Sequence, residues 1–398
     1  MQAKNTSVPF IAAATTALLI QLAFPIAAHA AATPATAVPA ARTVGTIEAV
    51  HQFQTGPMPT GVTVSAKGRI FVNFPRWGDD VPFTVGELRN GAVVAYPSQA
   101  ANTFDAKKPA DTLSSVQSVV VDALDRLWIL DPAAPGFQTR IAGAAKLVAV
   151  DLATNKVVKT IIIPADVALD TTYLNDVRFD LRAGKAGVAY ITDSSVSGPG
   201  AIIVVDIDSG RSWRKLSGHP STSPDPAFVP FVEGQRLAQR APGKAPQPFA
   251  VAADGIALSA DGATLYYSPL SSRHLYAAPT KLLLDAGAND AALAAAVRDL
   301  GEKGASDGLE ADDKGRLYAG DYEHNSIHQR QADGQWTTLA SDPRMLWPDT
   351  LSVGPDGYLY FIANQLHRQA GFHDGKDLRQ KPYMLFRTRI NAGPVMLK

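Results

Sequence analysis

The sequence contains no cysteine. Disulfides, thiolate nucleophiles and cysteine–zinc sites are therefore excluded. It also lacks an excess of either charge: 37 Lys and Arg oppose 37 Asp and Glu, for a formal net charge of +0. Nucleic acids and anionic membranes are held by surplus cations, so neither is an expected partner. There is no G-x-S-x-G elbow and no clustered glycine loop to cradle a phosphate. His324 and His328 stand four apart, but His-Asn-Ser-Ile-His lacks the glutamate of a metalloprotease helix and lies in strand context, so no zinc pair is read there.

What is present begins with an export signal. One cation, Lys4, precedes a largely apolar run from Val8 to Ala27, and Ala28-His29-Ala30 is a small-x-small cleavage pattern. Residues 1–30 are read as a signal peptide cut after Ala30. The Ala/Pro/Thr-rich residues 31–42 follow as a flexible leader. No stop-transfer charge cluster follows, so no membrane association is expected after cleavage. The mature chain is expected outside the cytoplasm, secreted or periplasmic. Without disulfides it must hold itself by core burial, which 46% hydrophobic content allows.

The rest of the chain repeats one phrase: an alternating strand, a tight turn, a second strand and a polar residue. Trp347 to Asn364 states it most clearly, with Asp356-Gly357 as its turn. Earlier versions run Gly61 to Asn73, Ser118 to Asp131, Asn175 to Asp193, Asp254 to Ser268 and Asp307 to Asp321. Each is a hairpin by alternation and turn chemistry. Strand-like runs between them, such as Ala145 to Leu152 and Ala201 to Ile207, supply outer strands. A four-stranded unit repeated about six times predicts an all-β, six-bladed β-propeller over residues 43–398, a single domain and a monomer. Thr43 to Phe53 is expected to complete the last blade and close the ring. Two stretches break the rhythm. Gly218 to Phe249 is long and Pro-rich, and is read as a lid. Lys281 to Leu300 is Ala/Leu-rich and is read as a packing helix.

In an antiparallel hairpin, the residue that leads into the first strand and the residue that leaves the second lie at the same end. If the first strand is innermost, these residues ring one mouth of the central channel. The leading residues include Asn175, Asp254, Asp307 and Asp349; the leaving residues include Asn73, Asp131, Asp193, Asp321 and Asn364. Converging oxygen ligands suit a calcium-like divalent metal, or hydrogen bonds to a polar ligand. The competing explanation is local: Asp and Asn stabilise turns and strand ends through backbone N–H groups. Asp261, Asp313 and Asp356, in turns at the opposite end, are assigned to structure.

At these residues the sequence resembles the major royal jelly protein / Yellow family. The matching segments include TGVTVSAKGRIFVNFPRW (60–77), YLNDVRFD (173–180), AYITDSS (189–195) and MLWPDTLSVGPDGYLYFIANQLHR (345–368). The resemblance implies a six-bladed propeller, secretion and a small-molecule cavity in the central channel. That family mixes ligand binders, nutritive proteins and members linked to dopachrome isomerisation, so no catalytic motif carries over. A more distant similarity is to the gluconolactonase / senescence-marker group, which binds a divalent metal through Asn and Asp at its blades. Asn175, Asp254 and Asp307 fall at matching positions, but that group's first-blade Glu has no counterpart at Thr60-Gly61-Val62. Two functions are therefore expected for one funnel. The first is binding of a small organic ligand by Asn175, Asp254, Asp307, Asp349 and Asn364, with Phe74, Trp77 and Tyr322 as stacking walls. The second is a metal-assisted lactonase-like hydrolase or a dopachrome-type isomerase, with any metal on Asn175, Asp254 and Asp307 and with Asp349 as base. A third reading is a protein-interaction scaffold with an inert channel.

Overall fold

A computed structural model describes residues 43–287 and 290–398 of the chain. The repeats form six four-stranded antiparallel sheets in simple up-and-down order. Blade 1 spans Gly61 to Ala95, blade 2 Ser118 to Ile162, blade 3 Leu174 to Lys215, blade 4 Ala253 to Glu302 and blade 5 Leu309 to Ser341. Blade 6 is built from Pro348–Val353, Tyr358–Ala363 and Tyr383–Arg389. Its fourth strand is Glu48–Phe53, which pairs antiparallel with Tyr383–Arg389 and locks both ends of the ring into one sheet. The first strand of each blade is innermost, and these strands neighbour one another around the ring.

Six apolar clusters fill the six blade–blade interfaces. Between blades 2 and 3, for example, Trp128 stacks on Phe179 at 4.9 Å among Leu147, Ile161, Val177 and Ile203. The aromatic residues that recur on second strands serve this packing. Their polar tips are tied to the turns away from the funnel. Asp122 accepts Arg126 Nε at 2.8 Å and Trp128 Nε1 at 2.7 Å, and Asp312 accepts Arg316 Nε at 2.6 Å and Tyr318 Oη at 2.7 Å. Asp261 accepts the backbone N–H of Ala263 at 3.0 Å, and Asp356 accepts Tyr360 Oη at 2.8 Å.

Two expectations change. The helix expected over residues 281–300 is helical only at Thr280–Leu284 and Asp290–Ala296, while Arg298–Glu302 is the outer strand of blade 4. Pairing with His274–Pro279 outweighs the local helical preference of this Ala/Leu-rich stretch. The Pro-rich stretch from Gly218 to Phe249 is not a plain loop. It carries a hairpin, Phe231–Val232 with Gln235–Arg236, and a short ribbon, Ala238–Gln239 with Gln247–Pro248. The signal peptide and leader lie outside the described residues. Among the described residues no helix is long and apolar enough to cross a membrane.

Candidate functional site

The innermost strands begin irregularly. In blades 3, 4 and 6 the pairing register slips between Leu174 and Val177, between Ala253 and Ile256, and between Pro348 and Leu351. Each slip contains a leading polar residue: Asn175, Asp254 or Asp349. A bulge turns a side chain out of the alternation that would otherwise commit it to a blade face. The glycines that follow Asp254 and Asp307 have a separate task. A Cβ on Gly255 would stand 2.4 Å from the Asp307 carbonyl oxygen, and one on Gly308 would stand 2.5 Å from that of Asp349. Blades 4, 5 and 6 interlock here at backbone distance, which brings three carboxyls from separate repeats to one floor.

The floor carboxyls are buried and mutually perturbed. Asp254 and Asp307 lie close enough for each to perturb the other's titration. Burial, and then the charge of Asp307, holds Asp254 well above the usual carboxylate range. Burial raises Asp307 to about 6, against the indole N–H of Trp347 donated to its Oδ2 at 2.7 Å. Asp349 is also well raised by burial and by Asp307, while Asn364 Nδ2 donates to its Oδ2 at 2.5 Å. Ser194 Oγ lies 2.9 Å from Asp254 Oδ2. Lys303, buried nearby, is pushed down to about 7 by desolvation, although Asp321, Asp254 and Asp307 pull the other way. The floor is thus poised to exchange protons near neutrality.

Above the floor is a cavity of about 610 Å³, a size suited to a small organic molecule. One wall is aromatic. Trp77 stacks on Phe137 at 4.9 Å, Phe137 lies 4.7 Å from Tyr173, and Trp77 Nε1 donates to Tyr173 Oη at 2.9 Å. Tyr173 Oη in turn donates to Gln117 Oε1 at 3.1 Å. Phe249 from the predicted lid meets Phe372 edge-on at 5.8 Å to cover the opposite side. Arg379 lines the cavity too, but its guanidinium is clamped by Asp79 and Asp377. Below the floor, Arg178 crosses the channel from blade 3 to donate to the Leu309 carbonyl of blade 5 at 2.7 Å, paired with Asp176 at 2.9 Å and Glu310 at 3.5 Å. This buried ion cluster separates the funnel from a cavity at the other mouth, lined in part by Pro394 to Leu397.

The structure brings Asn175, Asp254, Asp307, Asp349 and Trp77 together on the one cavity. Asn364 stands behind Asp349 and holds it, its own Oδ1 accepting the Leu366 N–H at 3.0 Å. Phe74 and Tyr322 do not line the cavity. Phe74 packs edge-on against Phe53 and Phe83, and Tyr322 lies flat on Trp347 at 4.0 Å with its hydroxyl given to the Leu270 carbonyl. Of the remaining leaving residues, Asn73 and Asp131 are engaged locally: Asn73 Nδ2 donates to the Gln117 carbonyl, and Asp131 accepts the Ser115 and Ala133 N–H groups and ion-pairs with the buried Lys146 at 3.1 Å. His324 Nδ1 and His328 Nε2 both meet Asp321 Oδ2. Phe137, Tyr173 and Trp347 were not foreseen. Trp347 has a left-handed backbone (φ 60°) and is fully buried, a costly conformation for a bulky residue. That conformation accompanies the indole bond to Asp307.

Fold and site together define a class: six-bladed propellers with a funnel opening on the central channel. Two solved structures of this shape are a luciferin-regenerating enzyme (TM-score 0.54, 12% identity, covering 90% of this chain and 100% of that one) and the calcium-binding protein regucalcin from Agrobacterium tumefaciens (TM-score 0.52, 15% identity, 87% and 96%). At such identities they share the fold alone. Among curated proteins, the chain is similar to Protein yellow of Drosophila subobscura, at 28% identity over 245 residues, 58% of this chain and 40% of that protein. It is similar also to Protein yellow of Drosophila melanogaster, at 27% over 243 residues, 57% and 42%. The matched stretch spans less than half the length of these relatives. The family model for the major royal jelly protein matches residues 114–394, and the chain belongs to that family.

Proposed function

We propose that this protein binds a small aromatic amine in its central funnel, as an exported, monomeric member of the family. One observation carries the reading: the carboxyls of Asp254, Asp307 and Asp349, from three blades, meet beneath a cavity walled by Trp77, Phe137 and Tyr173. An ammonium group compensates buried carboxylates whose ionisation burial opposes. The aromatic wall offers a ring-sized face, and adds attraction for a cation. Calorimetric titration with tryptamine, against uncharged 3-methylindole, tests this. Tryptamine is expected to bind at least tenfold more tightly, with that preference lost in Asp254→Asn/Asp349→Asn. Equal binding of the two indoles would sink the amine reading. Export is tested by the N-terminus of mature protein, expected at Ala31.

A divalent cation is the second reading, favoured by the closeness of Asp254 and Asp307 with Asn175 on the same floor. The donors are hard oxygens, as calcium requires. They are few, however. Among the described residues no group of three His, Cys, Asp or Glu side chains is placed to hold a metal. Such an ion would rest on two carboxylates and an amide, and would supply electrophilic activation to a lactonase-like reaction. In any enzymatic use Asp349 is the proposed base, and burial, which raises its carboxyl well above the usual range, would make it a stronger one. Calcium titration distinguishes the readings, since saturable calcium binding lost in Asp254→Asn would favour the metal.

A further inference from the structure

A second cavity, of about 520 Å³, lies between the cover ribbon 231–240 and the segment 366–380. Four arginines line it, Arg236, Arg240, Arg368 and Arg379, against two carboxylates, Glu233 and Asp377. Both carboxylates are already used. Glu233 accepts Arg368 Nε and meets His367 Nε2, each at 2.8 Å, and is pushed down to about 2 mainly by Arg368. Asp377 accepts Arg379 Nη2 at 2.6 Å. Among the described residues neither Arg236 nor Arg240 has a side-chain hydrogen bond or ion pair. His367, 4% exposed, also lines the cavity, and its Nδ1 has no partner. The surplus is two arginines at the rim of the recess, Arg236 exposed and Arg240 half-buried, without a carboxylate partner among the described residues.

We propose that this recess is a binding site for a small oxyanion of the phosphate class, held by Arg236 and Arg240. Guanidinium forks match tetrahedral oxyanions through paired N–H donors. The position gives the site a consequence. Arg240 donates its backbone N–H to the Gly371 carbonyl at 2.7 Å and accepts that of Asp374 at 3.1 Å, so it sits on the seam between cover and segment. Phe372, Asp377 and Arg379 line both this recess and the funnel. An anion on the seam therefore braces the funnel's cover.

The test is titration of the full chain with inorganic phosphate at constant ionic strength, followed by calorimetry and by the rate of chymotryptic cleavage after the exposed Phe231, a site that none of the variants below alters. No funnel ligand is added, so the result does not depend on the amine reading. The expected result is saturable binding with a severalfold slower cleavage. Both effects should weaken at least tenfold in Arg236→Gln/Arg240→Gln and survive in Asp254→Asn. Arg240→Lys, which keeps the charge without the fork, is expected to fall between. Absence of a saturable effect beyond chloride, or unchanged phosphate affinity in a folded double variant, would overturn the proposal.

Discussion

Replacing Asp307 by Asn keeps the side chain's shape and removes its titration. The amide oxygen can still accept the Trp347 indole N–H, and the amide NH₂ can donate to Asp254. Asp307 titrates from an ordinary 3.8 in the unfolded chain to about 6 in the fold. Well below pH 3.8 it is neutral in both states and costs nothing. As pH rises from 3.8 to about 6 the unfolded chain ionises first, so the folded state loses stability over that window, by roughly 3 kcal/mol once both states are ionised. The asparagine variant escapes that loss, and it also relieves Asp254, whose carboxyl is raised in part by the Asp307 charge. The assay is urea unfolding at pH 4.5 and pH 7.5. Relative to the natural protein, Asp307→Asn is expected to gain about 1–3 kcal/mol in going from the lower to the higher pH. A difference independent of pH, or one favouring the natural protein more strongly at pH 7.5, is the contrary result. It would mean that Asp307 is ionised and well compensated in the fold.

Other consequences follow from neighbouring groups. Trp347→Phe removes the donor that most lowers Asp307, so the pH window of that stability loss is expected to move upward in the same assay. Arg178→Met leaves Asp176 and Glu310 buried without their shared cation, and should cost about 3–5 kcal/mol by urea unfolding, with partial recovery in Arg178→Met/Glu310→Gln. Gly255→Ala drives a methyl group into the Asp307 backbone carbonyl, and is expected to cost about 1–3 kcal/mol and to weaken binding in the funnel.

The blades were legible because each hairpin carries its own alternation and turn. Asp254-Gly255 and Asp307-Gly308 announced strand starts, and antiparallel geometry alone put those starts at one end. What local pattern cannot carry is contact between repeats. Nothing in Gly255 itself shows that the next blade's carbonyl stands where its Cβ would be. Tyr322 and Phe74 sit one residue beyond strand ends that face the funnel, and proximity in sequence suggested stacking walls. The structure turns both into the core, because blade 1 and the Trp347 ring offer apolar surface there. Arg178 escaped notice because it lies inside a strand, where alternation sends residues either to a blade interface or to the channel axis. Phe137 stands in an irregular loop with no period to mark it. The stretch 281–300 shows the opposite failure: a strong local helical preference, overridden at Arg298–Glu302 by the need for a fourth strand.

The floor that we propose receives a cationic ligand consists of three buried carboxyls whose ionisation burial opposes. A cation bound beside them must draw them into the ionised form, and the protons must leave. Calorimetric titration of tryptamine at pH 6, repeated in two buffers of different ionisation enthalpy, counts those protons. Net proton release on binding is expected, abolished in Asp254→Asn/Asp307→Asn/Asp349→Asn. Tight binding with no proton release, or with proton uptake, would contradict it.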